Sequence, residues 1–361
     1  MHIELLTPKE AVSFNEVARI MKKCFTKLGY KCQTDELQQL FIPNPTLAPL
    51  GFGTWDILII ICTIYDTPTQ YFQLYSNFTY TKKAWWYGVV EGHIPENRKP
   101  PATPINNKII VPSKFCKQML EEQGYKIKAI IPHAIDHEEF KPTEQSNHIA
   151  NYLREKFKGH KILLTIGHLT SRKAIPQLLK AIYYLKQKRQ DFVLVLQTDR
   201  QRINQSIENQ PPITQIIKRL NIEHFVYITE WQFGELSRSH LIGLYQAADI
   251  YILPSYTEGF GITLLEAGAL KKPIITINAP PMNEIYNESQ AYLVPYTRVA
   301  WRPDNPIMIY KWHIWEPQQM AETLDYALSN PKETEEKGYK AYERSLEYNY
   351  MKVYPKWLEL E

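Results

Sequence analysis

Two carboxylates, Glu258 and Glu266, flank the turn Gly259-Phe260-Gly261 at the point where an apolar strand pattern gives way to an apolar helix pattern. The strand pattern covers Ile250 to Leu253 and stops at Pro254, and the helix pattern starts at Ile262. The first turn of a helix carries backbone N–H groups with no acceptor inside the helix, and its dipole is positive at that end, so the turn is a seat for an anion such as phosphate. Glu258 stands just before the seat. Glu266 is expected about two turns into the helix, where a carboxylate can accept from a ribose diol. A ligand made of diphosphate, ribose and a further polar group would use all three features, and a nucleotide sugar is the economical candidate.

A second group lies upstream. The strand pattern Lys161 to Ile166 ends at Gly167, and a polar loop then brings Arg172 and Lys173 in front of the next helix pattern. Two adjacent cations neutralise a diphosphate, Arg172 through its forked donors and Lys173 as a point charge, and they stabilise it as a leaving group. Alone, such a loop is an ordinary solvated basic loop. With the Glu258 to Glu266 module it completes an anion site.

The elements that must position these residues alternate along the chain. Strand patterns at Ile3 to Leu6, Trp55 to Cys62, Ala84 to Val90, Lys108 to Val111 and Ala129 to Ile131 are interleaved with helix patterns at Phe14 to Leu28 and Lys114 to Glu122. A second series has strands at Lys161 to Ile166, Phe192 to Leu196, Val226 to Ile228, Ile250 to Leu253 and Pro273 to Ile277, with helices at Ile175 to Lys188, Thr214 to Leu220, Leu241 to Ala248, Ile262 to Leu270 and Gln318 to Leu328. Alternation of this kind predicts an α/β fold of two doubly wound, Rossmann-like domains with parallel sheets, and ligands at the carboxyl ends of the strands in a cleft between them. The expected division is 1–138 for an acceptor-side domain, 139–335 for a nucleotide-sugar-binding domain, and 336–361 for a C-terminal helix returning to the first domain. The polar stretch Asp136 to Lys161, with a helix-like end at Ala150 to Phe157, reads as the linker.

Lys161 to Glu284 resembles the donor-binding domain of the retaining GT-B glycosyltransferases, in particular family 4, the glycosyl transferases group 1. The resemblance rests on Gly167 with Arg172 and Lys173, Leu244 to Asp249 followed by Pro254-Ser255, Glu258 to Gly261 through Glu266-Ala267, Lys272 to Ile275, and Asn283 to Ile285. It implies a GT-B fold and a metal-independent transfer of a hexosyl group from a UDP- or GDP-sugar to a hydroxyl of a carbohydrate, lipid or protein, with retention and without a cofactor. It places Arg172 and Lys173 on the donor diphosphate together with Gly259, Phe260, Gly261, Ile262 and Thr263, Glu266 on the ribose, and Glu258 at the donor sugar. Trp231 and Gln232, after the strand at Val226 to Ile228, are its candidates for the base pocket. His93, at the end of Val89 to His93, is its candidate for the family histidine that contacts the sugar.

The first half departs from the family. Ile131-Pro132-His133-Ala134-Ile135-Asp136 carries His133 and Ala134 in place of asparagine and glycine, Thr7 to Ser13 has no glycine, and His168 stands where many relatives carry arginine. Tyr65 and Asp66 are further candidates for meeting an acceptor, with an ordinary loop as the plainer reading.

Composition narrows the field. A formal charge of +4 with interleaved signs gives little support to nucleic-acid binding. Cys24, Cys32, Cys62 and Cys116 have neither metal-ligand nor disulfide spacing and read as packing residues, and no Asp-x-Asp metal motif stands out, so no metal is expected. No apolar run is long enough to span a bilayer and the start lacks a signal-peptide pattern, so the expectation is a cytoplasmic chain, with association at a membrane surface as the alternative. Basic and aromatic residues mix in Lys82 to Tyr87 and Arg298 to Trp315, as a face for anionic lipid or a sugar acceptor would require, or simply as solvated lysines beside half-buried rings. A nucleotide-sugar epimerase and a non-catalytic sugar-binding protein are the alternative functions. A dinucleotide oxidoreductase would need Gly-x-Gly-x-x-Gly after a first strand, and neither half has it.

Overall fold

The computed structural model describes residues 1–8, 12–36, 56–63, 83–99, 102, 106–207, 210–232, 235–305 and 308–361. Tyr65 and Asp66, and part of the Thr7 to Ser13 loop, lie outside the described residues. The chain forms two compact units: unit 1 is Met1–Asp136, Asn305–Tyr310 and Tyr348–Glu361, and unit 2 is His137–Asp304 and Lys311–Glu347.

Unit 1 is built on β1 (His2–Thr7), β2 (Lys31–Glu36), β3 (Ile57–Thr63), β4 (Lys83–Val89), the short β5 (Gly92–His93), β6 (Ile109–Val111) and β7 (Ile127–Ile130). Six of them form one sheet in the order β2-β1-β3-β4-β6-β7, and every pairing in it is parallel. All of β3 is buried, as expected for a continuous run of isoleucine and leucine covered on both faces. The helix Val12–Lys27 buries Val17, Ala18, Ile20, Met21, Cys24 and Phe25, a stripe at helical spacing. The helix Lys114–Glu121 begins at Ser113, whose hydroxyl accepts from the Cys116 N–H at 3.0 Å. β2 reads as polar in sequence because it is an edge strand: among the described residues only β1 borders it.

The aromatic residues of the Lys82 to Tyr87 stretch are not at the surface, and Lys82 lies outside the described residues. Trp85, Trp86 and Tyr87 lie on β4 and are 5%, 0% and 0% exposed, so they cannot form a face for lipid or acceptor. Tyr87 instead ties the sheet to the end of the chain. Its hydroxyl donates to the Ile131 carbonyl at 2.6 Å, and its ring meets Trp357 edge-on at 5.0 Å. Tyr350, Tyr354 and Trp357 are all buried, and the Ala134 N–H donates to the Tyr354 hydroxyl at 3.1 Å.

Unit 2 carries β8 (Lys161–Ile166), β9 (Phe192–Gln197), β10 (Val226–Ile228), β11 (Ile250–Leu253), β12 (Ile274–Ile277) and β13 (Tyr292–Val294), in the order β10-β9-β8-β11-β12-β13. All five pairings are parallel. The chain builds outward from β8 through β9 to β10, then returns to β8's other side and builds the opposite way. The strand order therefore reverses between β8 and β11, and in doubly wound sheets ligands bind outside the carboxyl ends of the two strands at such a switch point.

Two parts of the chain after Asp136 differ from the sequence reading. The expected linker contains a full helix, Glu144–Lys156, with Thr143 and Ser146 in a reciprocal capping box. It lies against the helix Arg238–Ala247, where a Cβ on Gly243 would come within 2.7 Å of Ile149 Cβ and 2.9 Å of the Ser146 carbonyl. Only Ser146, Ala150 and Leu153 of this helix are buried, which is why its sequence looks polar. The second difference is a pair of neighbouring strands, β14 (Tyr296–Asn305) and β15 (Met308–Trp315), in the stretch where the sequence shows only mixed basic and aromatic residues. The helix Pro331–Ser345 runs through residue 336 and packs on the helix Ile262–Ala269, and the C-terminal stretch belongs to unit 1 from Tyr348.

Candidate functional site

Both halves of the expected anion site emerge at the switch point. The loop after β8 carries Arg172 and Lys173 in a tight turn, Ser171–Lys173, and Ala174 in the left-handed region (φ 52°) starts the helix Ile175–Leu185. The loop after β11 carries Ser255 to Gly261. Gly261 has φ 101° and caps the helix Ile262–Ala269, a backbone position that suits glycine because it has no Cβ. The Tyr256 N–H donates to the Arg172 carbonyl at 2.8 Å, which joins the two loops directly.

Glu258 is the centre of this cluster. One carboxylate oxygen accepts from Lys173 Nζ at 2.6 Å and from the Ser255 hydroxyl at 2.5 Å, and the other accepts from the Arg172 guanidinium at 2.8 Å. The residue is 5% exposed. Burial alone would push its carboxyl up, but the charges of Lys173 and Arg172 and the bonds from Lys173 and Ser255 overcome that and hold it at about 2. Two cations and one carboxylate leave the cluster with one net positive charge. Guanidinium and ammonium also carry five and three N–H donors, more than one carboxylate can accept.

Glu266 is the fifth residue of its helix, closer to the start than two full turns, and is 7% exposed. Its carboxylate accepts from the Tyr245 hydroxyl at 2.8 Å, and that hydroxyl also lies 3.3 Å from the Thr263 carbonyl. Burial first, and then the charge of Glu266, push the Tyr245 phenol well up, so it remains a donor. Gly259 and Phe260 are buried, while Gly261, Ile262 and Thr263 are half-buried.

Trp231 and Gln232 follow β10, two strands from β8 in the same sheet, roughly 10 Å away at the usual strand spacing. The Trp231 carbonyl accepts from Gln197 at 3.1 Å, and its ring lies edge-on to His240 at 5.3 Å. His93 is in unit 1. It sits on β5 opposite Ile309, and its Nε2 is 2.8 Å from a Glu122 carboxylate oxygen.

Sequence reasoning missed the groups that fix this machinery. Ser255 and Tyr245 orient the two glutamates. Asp199 holds His168, whose Nδ1 lies 2.8 and 3.0 Å from the two carboxylate oxygens, and also accepts from the Leu169 N–H at 2.8 Å. Burial lowers the His168 pKa, with Asp199 opposing and Lys173 and Arg172 adding to the fall. Strand β15 braces the Glu258 loop from behind: Trp315 Nε1 donates to the Pro254 carbonyl at 2.8 Å, the His313 N–H to the Tyr256 carbonyl at 2.8 Å, and Trp312 stacks on Tyr256 at 4.8 Å. These partners are 50 or more positions from the loop they support, and no local pattern announces them.

Residues 153–301, which include every one of these unit 2 candidates, match the family model Glycosyl transferases group 1. The chain is 28% identical over 257 residues to an uncharacterized glycosyltransferase of Sulfolobus islandicus rod-shaped virus 1, covering 70% of this chain and 72% of that one. It is also 27% identical over 184 residues to an alpha-monoglucosyldiacylglycerol synthase of Streptococcus pneumoniae, covering 50% of this chain and 39% of that one. Among solved structures, a glycosyltransferase from Rickettsia africae superposes with a TM-score of 0.75 at 19% identity, over 99% of this chain and 97% of that one. Anabaena Alr3699/HepE in complex with UDP and glucose superposes with a TM-score of 0.71 at 15% identity, over 99% and 98%. The fold is GT-B, as the alternation of elements and the motif resemblance imply.

Proposed function

We propose that this protein is a glycosyltransferase that moves a hexosyl group from a UDP-sugar to an acceptor hydroxyl with retention of configuration. The reading rests on one observation above all: Arg172, Lys173 and Glu258 converge from two loops at the β8/β11 switch point, beside a helix that opens at Gly261. The UDP-bound neighbour of the same fold favours UDP over GDP as the first donor to test.

In this reading the diphosphate lies against Arg172, Lys173 and the turn Gly259 to Thr263. Negative charge grows on the departing phosphate in the transition state, and preorganised cations and N–H donors act where that charge develops. Glu258 holds both cations in place while neutralising only one of them, and its carboxylate is the acceptor offered to the donor sugar. Glu266, fixed by Tyr245, takes the ribose hydroxyls, and Trp231 and Gln232 border the base. The charge neutralisation is assigned to Arg172 and Lys173, so the reading needs no metal.

Calorimetric titration and thermal shift with UDP, GDP and their sugars test this. A ligand at about a hundred times its dissociation constant stabilises the folded state by about 2.7 kcal/mol. UDP is expected to raise the melting temperature of the native protein by clearly more than that of Lys173→Ala. An equal shift in both would remove Arg172 and Lys173 from the diphosphate and the proposal with them.

A further inference from the structure

Strand β14 is exposed along nearly its whole length. Pro295, Tyr296, Thr297, Arg298, Val299, Trp301, Arg302 and Pro303 are exposed and Ala300 is half-buried, with Tyr296, Val299 and Trp301 at 41%, 42% and 42%. The run Pro295 to Pro303 contains two arginines and no carboxylate; Asp304 follows it, and Glu316, 3.5 Å from the Thr297 hydroxyl, lies at the other end of the strand pair. Lys311, on β15, adds a third cation, with its Nζ 5.6 Å from the centre of the Trp301 ring. The Arg302 guanidinium lies 5.5 Å from the Trp312 ring centre.

We propose that β14 is a docking surface for an anionic lipid interface. Alternation along the strand sends Val299 and Trp301 to one face, with Lys311 beside Trp301, and Tyr296, Arg298 and Arg302 to the other. Both faces are exposed, and between them they offer such a layer rings that settle at headgroup depth, a valine for the acyl boundary and cations that meet lipid phosphates. The strand is poorly suited to pairing with another strand, since proline stands at both ends of the run and arginines on an edge strand discourage edge-to-edge addition. Its contact is therefore through side chains. A glycan would use the Trp301 ring but leave Val299 and the arginines without a role. Among the described residues no helix is long and apolar enough to cross a membrane. The proposal does not depend on the donor or on the proposed reaction.

Co-sedimentation of the full chain with vesicles tests it. The native protein is expected to pellet with vesicles of equal parts phosphatidylglycerol and phosphatidylcholine at low salt, to be released by high salt, and to ignore phosphatidylcholine alone. The variant Arg298→Gln/Arg302→Gln should lose about 25-fold in partitioning, a factor of about five for each arginine near an anionic surface. Trp301→Ala should also weaken binding, whereas Lys180→Gln, a charge loss on an exposed helix position elsewhere in unit 2, should not. Unchanged melting temperatures establish that the variants are folded. No pelleting of the native protein, equal pelleting of the double arginine variant, or binding that follows a glycolipid headgroup and not the charge would overturn the proposal.

Discussion

Lys173 Nζ and the Glu258 carboxylate are 2.6 Å apart although the residues are 85 positions apart in sequence, and the same carboxylate holds Arg172 at 2.8 Å. A charge-assisted bond of this type contributes about 1.5–3 kcal/mol. Replacing Lys173 with alanine is expected to weaken UDP binding by about 10- to 100-fold, at about 1.4 kcal/mol per factor of ten. Titration calorimetry reads the change directly.

Glu258 also sets an acid limit on stability. Its folded pKa of about 2 lies below the ordinary value of 4.5, so its contribution is complete above about pH 4.5 and is lost as the pH falls toward 2. At about 1.36 kcal/mol per pKa unit this is on the order of 3 kcal/mol. Denaturant melts of the native protein and of Glu258→Gln across that window should show a steeper loss of stability for the native chain. Parallel curves would mean that the carboxylate is not held ionised by its cations.

Glu4 works in the opposite direction in unit 1. It lies on β1, paired in register with Gln33, and is 4% exposed; burial, and next the charge of Asp35, push its carboxyl up to about 8. A raised folded pKa means that the stability present below about pH 4.5 is lost as the pH rises through 8. Glu4→Gln should therefore raise the melting temperature at pH 8 and leave it nearly unchanged at pH 4.5.

Trp315 and Trp312 touch the Glu258 loop in different ways, one by a hydrogen bond to Pro254 and one by stacking on Tyr256. Trp315→Phe leaves the Pro254 carbonyl without that donor, at about 1–3 kcal/mol for a buried group. It should lower both the melting temperature and the affinity for UDP. Trp312→Phe keeps an aromatic stack and should change either much less. Equal effects from the two substitutions would show that β15 does not position the loop through the indole bond.

Gly243→Ala is the remote control. The new methyl would meet Ile149 and the Ser146 carbonyl at less than 3 Å, and overpacking of this kind costs about 1–3 kcal/mol. Stability should fall while UDP affinity, measured below the melting transition, stays at the native value.

The buried strands of both sheets were legible because strands covered on both faces must be continuously apolar, as Ile57 to Cys62 and Ile250 to Leu253 are. The glycine turn and the two carboxylates around it were legible for a similar reason, since a helix mouth of that kind needs few residue types. What escaped was set by distant partners. The helix Glu144–Lys156 shows too few buried positions to announce itself, β2 is polar because it is an edge, and the brace of His313 and Trp315 exists only once β15 lies behind Tyr256. The Lys82 to Tyr87 stretch misled for the converse reason: its rings face the interior of a sheet, and composition alone does not distinguish that from a surface.

The buried tail Tyr348–Glu361 has a consequence for how the molecule is made. Trp357 meets Tyr87 within the core of unit 1, and Tyr354 accepts from Ala134, so the first unit lacks part of its interior until unit 2 has been translated. From Asp136, the end of the unit's first segment, to Trp357 a ribosome must add 221 residues, roughly 10–45 s at ordinary elongation rates. During that interval the leading half emerges with Tyr87 uncovered, and unit 2 can mature first although it is encoded second.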